Sequence, residues 1–70
     1  MTTVTYSVPA IHCDHCVHTI QGELMEIAGV RKVVASVEPK QVTVEFEPPA
    51  TETQIEALLA EIHYPVASRV

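Results

Sequence analysis

Both cysteines and three of the four histidines of this 70-residue chain fall within seven consecutive residues, His12-Cys13-Asp14-His15-Cys16-Val17-His18. Thiolates select Cu(I), Zn(II) and similar ions, and imidazole suits several of the same metals, so the stretch reads first as a metal site. Cys13 and Cys16 carry that reading. Three residues apart at the start of a helix, their sulfurs can point at one ion, and two thiolates satisfy the low coordination number that Cu(I) accepts. The unpaired N–H groups and positive end of the helix also stabilise anionic sulfur.

Competing readings of the pair are a small buried couple or a structural disulfide, and the reducing interior expected for this chain disfavours both. A closed zinc finger would need four ligands in a spacing the chain lacks. Dithiol oxidoreductase chemistry stands as the alternative of a different class, because thioredoxin-like enzymes also place Cys-x-x-Cys near a βαβ unit. A thiol–disulfide turnover assay separates the two. Among the histidines, His15 and His18 read as solvent-facing, whereas His12 and His63 are candidate further ligands. With such imidazoles the site would become Cys2His or Cys2His2 and would suit Zn(II), Cd(II) or Ni(II) as well as copper.

These residues need a scaffold, and the apolar periodicity supplies one. Thr3 to Val8 alternates, with Val4, Tyr6 and Val8 on one side, as in a half-buried strand, and Pro9 ends it. From about Cys16, Val17, Ile20, Leu24 and Ile27 repeat at helical spacing, with Met25 read as core filler and Gly29 as the left-handed stop. Gly22 inside that helix suggests a close contact. Val30 to Val37 and Val42, Val44 and Phe46 read as a strand pair around the turn Glu38-Pro39-Lys40-Gln41. Thr51 and Gln54 form a capping box ahead of Ile55, Leu58, Leu59 and Ile62, and Tyr64, Val66, Ser68 and Val70 alternate as a last strand. The order βαββαβ predicts an α+β, ferredoxin-like open-faced sandwich in one domain, residues 1–70, with a four-stranded antiparallel sheet and both helices on one face. That topology brings the first β–α loop, the central hairpin turn and the loop of His63 and Tyr64 to one end.

The chain carries nine acidic residues against four Lys and Arg, so no basic patch attracts nucleic acid. No apolar run is long enough to span a bilayer, and Met1 to Thr5 lacks the pattern of a secretory signal, so a cytoplasmic protein that is not membrane-embedded is expected. Paired carboxylates, a nucleophile triad and a glycine-rich phosphate loop are all missing, which points away from an enzyme.

Across essentially its whole length the sequence resembles the heavy-metal-associated domain family, especially the small soluble copper chaperones of bacteria. The family's Gly-Met-Thr-Cys-x-x-Cys loop corresponds to Ala10-Ile11-His12-Cys13-Asp14-His15-Cys16, and its Gly-Tyr before the last strand to His63-Tyr64. Ile11 stands where the family's methionine anchors the loop to the core, and Tyr64 where its tyrosine packs beside the site. His12 and His63 replace a threonine and a glycine. The resemblance implies a cytosolic metallochaperone that holds Cu(I) through Cys13 and Cys16 and hands it to the metal-binding domain of a copper-transporting P-type ATPase by thiolate exchange. Alternatives within the binding class are an excised amino-terminal domain of such an ATPase, a Zn(II) or Cd(II) domain using the added histidines, and a metal-bridged homodimer as the loaded form.

Overall fold

A computed structural model describes all residues, 1–70. The elements follow in the order β1 (Thr2–Ser7), α1 (Asp14–Met25), β2 (Val30–Ser36), β3 (Gln41–Phe46), α2 (Glu52–Glu61) and β4 (Ser68–Arg69). All strand pairs are antiparallel, in the sheet order β2-β3-β1-β4, so the chain is the expected ferredoxin-like sandwich. Inward-facing Val4 and Tyr6 of β1, Val33 of β2, and Val42, Val44 and Phe46 of β3 pack under Ile20 and Leu24 of α1 and Ile55 and Leu59 of α2. Each such aliphatic side chain taken from water stabilises the fold by about 1.5–3 kcal/mol.

Several elements differ from their sequence reading. Helix α1 begins two residues earlier than the apolar stripe suggests, with Cys13 at its N-cap, and ends at Met25. Gly29 is therefore no helix stop, although its φ of +101° is positive. Its role is close approach: a Cβ there would lie 2.2 Å from the Glu47 carbonyl oxygen, and the Glu47 N–H donates to the Gly29 carbonyl. Met25, about 100° round the helix from Leu24, leaves the apolar stripe and is 48% exposed, so it fills no core space.

Gly22 makes no close contact either, since an added Cβ would meet nothing within 4 Å. It is simply a poor helix former in an exposed helix position. We expect Gly22→Ala to stabilise the domain by about 0.5–1 kcal/mol, read as a higher urea midpoint at unchanged slope.

The last strand is the shortest element. Pro65 has no N–H for a ladder, and only Ser68 and Arg69 pair with β1, leaving Tyr64 and Val66 in an extended approach to the sheet. The capping box of α2 forms as read, with Gln54 N–H donating to Thr51 Oγ1 and Thr51 N–H to Gln54 Oε1, each at 3.2 Å. Arg69 pairs with Glu52 at 2.9 Å and ties the edge strand to the first turn of that helix.

Candidate metal centre

Three loops meet at one end of the sandwich. After β1, Val8 and Ile11 are fully buried and moor the segment that carries His12 and Cys13 to the core. Ile11 is part of the apolar core. The loop folds back on itself through Ile11 N–H, which donates to the Val8 carbonyl at 3.2 Å, while Val8 N–H donates to the Lys40 carbonyl at 2.9 Å. From the same hairpin turn, Lys40 Nζ donates to the Ile11 carbonyl at 2.6 Å.

Cys13 is half-buried and Cys16 buried, and both are free thiols. Their sulfurs stand 3.6 Å apart, well beyond the ~2.05 Å of a disulfide and close enough to share one ion. Cys16 belongs to the apolar core as well as to the site, which its sequence position beside Val17 did not distinguish from an exposed loop residue. A ring nitrogen of His12 and both sulfurs lie within 4.8 Å of one another. His12 Nδ1 is 3.7 Å from Cys16 Sγ and 2.9 Å from the Ala10 carbonyl oxygen. Because a carbonyl only accepts, the neutral ring bonded to Ala10 carries its proton on Nδ1 and leaves Nε2 as the basic nitrogen.

The Cys16 thiol is pulled down to about 6, first by the Tyr64 phenol that faces its sulfur, then by the backbone of His12, with burial opposing and Cys13 adding to the fall. Reciprocally, the thiolate pushes the Tyr64 phenol up. Cys16 is therefore largely ionised at neutral pH, the state in which sulfur binds metal. Since its folded value lies below the unfolded one, this thiolate contributes stability above the ordinary thiol range, and the contribution is lost as pH falls through about 6.

His63 lies outside the group of His12, Cys13 and Cys16, and it is exposed. Its contribution is to the backbone. With φ at +71° it ends α2: His63 N–H donates to the Ala60 carbonyl at 3.1 Å and Tyr64 N–H to the Leu59 carbonyl at 2.8 Å. This paired 5→2 and 6→1 closure is a Schellman stop, which usually takes glycine, and it turns the chain so that Tyr64 reaches Cys16. A histidine before the tyrosine hid that stop from a reading based on glycine. His15 and His18 are exposed on the first turns of α1, as read. Lys40 was not singled out by the sequence, and only the shared end of the three loops could have drawn notice to it.

The heavy-metal-associated domain pattern matches residues 5–65. The chain belongs to the heavy-metal-associated family. It is 54% identical over 57 residues to the COP-associated protein of Helicobacter pylori, covering 80% of this chain and 86% of that one. It is also 38% identical over 47 residues to the copper chaperone CopZ of Staphylococcus saprophyticus, covering 67% and 69%. The solution structure of apo-CopP from Helicobacter pylori superposes with a TM-score of 0.85 at 41% identity, over 94% of this chain and all of that one. In the Cys-x-x-Cys loop of the present chain an imidazole, His12, stands directly before the first cysteine.

Proposed function

We propose that this protein is a cytoplasmic metallochaperone that holds one Cu(I) between Cys13 and Cys16 and passes it to a copper-transporting P-type ATPase. The observation that carries the reading is the reduced pair of thiols 3.6 Å apart at the start of α1, close enough to share one ion. Transfer needs a site that binds softly ligated metal yet stays open to an incoming sulfur. Half-buried Cys13 at the helix N-cap offers that access, while buried Cys16 anchors the ion from the core side. A partner domain with its own thiolate pair attacks the metal, a three-coordinate intermediate forms, and the two sulfurs here leave in turn. Bonds to metal are exchanged and nothing else is made or broken, so no catalysis is invoked. The similarity to CopZ favours copper as the cargo.

Anaerobic competition titrations with Cu(I) and Zn(II), followed by X-ray absorption at the metal edge, test this directly. One Cu(I) per chain with two sulfur ligands is expected. A protein that takes up no Cu(I) in competition would sink the reading.

His12 gives a second reading of the same site some support. Two sulfurs at ~2.3 Å from a metal but 3.6 Å from each other subtend roughly 100° at it, whereas linear coordination would need them about 4.6 Å apart. The resting spacing thus suits a bent site with room for a third ligand, and His12 is the nearest. His12→Ala is therefore expected to weaken Zn(II) binding while changing Cu(I) binding less, read by the same competition titrations. Equal Zn(II) affinities for the two proteins would return His12 to a purely hydrogen-bonding role toward Ala10. The same comparison with His63→Ala is expected to show no difference.

A further inference from the structure

We propose that Lys40, in the turn between β2 and β3, is a positioning residue of the metal site: its ammonium holds the ligand loop in the metal-accepting conformation. The inference rests on reading Cys13 and Cys16 as the place where metal binds, and it names a residue outside the Cys-x-x-Cys loop on which that binding depends.

Lys40 grips the loop at two points. Its backbone carbonyl accepts from Val8 N–H at 2.9 Å, and its Nζ donates to the Ile11 carbonyl at 2.6 Å. The segment between those anchors is closed by Ile11 N–H to the Val8 carbonyl, so the chain from Val8 to Ile11 is held from both its ends by one residue of another hairpin. The Ile11 carbonyl belongs to the peptide that leads into His12, and Cys13 follows. Fixing that peptide fixes the direction in which the chain enters the N-cap of α1, and with it the place of the Cys13 sulfur. Cys16 is set by its burial in the core, and its N–H donates to the Cys13 carbonyl at 3.1 Å in the first turn of α1. The sulfur–sulfur separation is thus the distance between a core-anchored sulfur and one whose backbone Lys40 tethers.

The rest of the molecule underlines how this lysine is used. Of its four Lys and Arg residues, Arg31 pairs with Glu47 and Arg69 with Glu52, each in a carboxylate ion pair. Lys32 is exposed on the edge strand. Lys40 alone gives its charge to a neutral carbonyl, from a half-buried position, in a chain with nine carboxylates. It also holds a left-handed φ of +65°, a conformation for which glycine or asparagine is the usual choice. The turn by itself does not call for lysine, whereas the bond to Ile11 does.

Lys40→Met and Lys40→Arg provide the test, because both keep a non-glycine residue in the left-handed turn and differ only in whether a cationic donor can reach Ile11. Cu(I) affinity is measured anaerobically by competition with a chromophoric chelator, alongside the urea midpoint of the metal-free protein and the copper coordination number from X-ray absorption. Lys40→Met is expected to weaken Cu(I) binding about tenfold, in the range found when groups supporting metal ligands are removed, and Lys40→Arg to restore most of it. The loaded Lys40→Met protein should also give a copper spectrum with a changed sulfur shell, which a merely less stable domain would not. Unchanged affinity and spectrum in Lys40→Met overturn the proposal, and so does a loss that Lys40→Arg fails to repair. If the wild type itself takes up no Cu(I), both readings fall together; if it binds and Lys40→Met binds equally well, only the role of Lys40 is lost.

Discussion

Serine at position 13 or at position 16 is expected to abolish tight Cu(I) binding, because a hydroxyl is a hard, neutral ligand where the ion requires soft anionic sulfur. The two variants should nevertheless differ in a second observable. Cys13 sits half-buried at the helix N-cap on the margin of the core, so the oxygen of Cys13→Ser can reach water. Cys16 packs with the buried apolar residues, and a serine there places a hydroxyl among them. If that hydroxyl finds no partner, the cost is about 1–3 kcal/mol, which circular dichroism during urea unfolding would report as a lower midpoint. A folded Cys13→Ser protein that still binds Cu(I) with wild-type affinity would disprove the two-thiolate site. Equal urea midpoints for the two variants would contradict only the burial argument.

That asymmetry marks the limit of what the sequence could reveal. The alternation in β1 and β3, the capping box of Thr51 and Gln54, and the apolar rows of both helices were legible, because each is a local periodicity or a fixed offset. They suffice to choose the fold and to bring three loops to one end. What remained hidden depends on contacts distant in sequence. Cys16 is buried because the first turn of α1 leans on the core, and Gly29 needs its missing Cβ because Glu47 lies against it. His63 reads as a metal ligand by residue type, yet the structure uses its backbone to end α2. Tyr64 owes its position at Cys16 to that stop rather than to the alternation of a strand. The bond from Lys40 to Ile11 spans 29 residues, with no sequence pattern linking its two ends.

Truncating the core should then test how closely metal binding and folding are linked. At roughly 0.05–0.15 kcal/mol per residue, a domain of 70 residues has only about 4–10 kcal/mol of stability to lose. Ile20 on α1 and Leu59 on α2 are both fully buried, and we expect Ile20→Ala or Leu59→Ala to cost about 2–5 kcal/mol through lost transfer energy and the cavity left behind. Leu58 shares the apolar row of α2 but is only half-buried, so Leu58→Ala should cost less than its neighbour. Ile20 lies one helical turn beyond Cys16, and its loss loosens the same helix that presents the sulfur. Cu(I) should partly rescue such variants. An ion that binds the folded state adds about 1.4 kcal/mol for each tenfold excess over its dissociation constant, less whatever affinity the unfolded chain keeps through its own two thiols. The decisive comparison is the urea midpoint of Ile20→Ala with and without one equivalent of Cu(I), under anaerobic conditions. It should rise with metal, and it should not rise when Cys13→Ser is added to the same background. A midpoint indifferent to Cu(I) would mean that the unfolded chain binds the ion as well as the folded domain does, and that the arrangement of Cys13, Cys16 and their supporting loops contributes nothing to affinity.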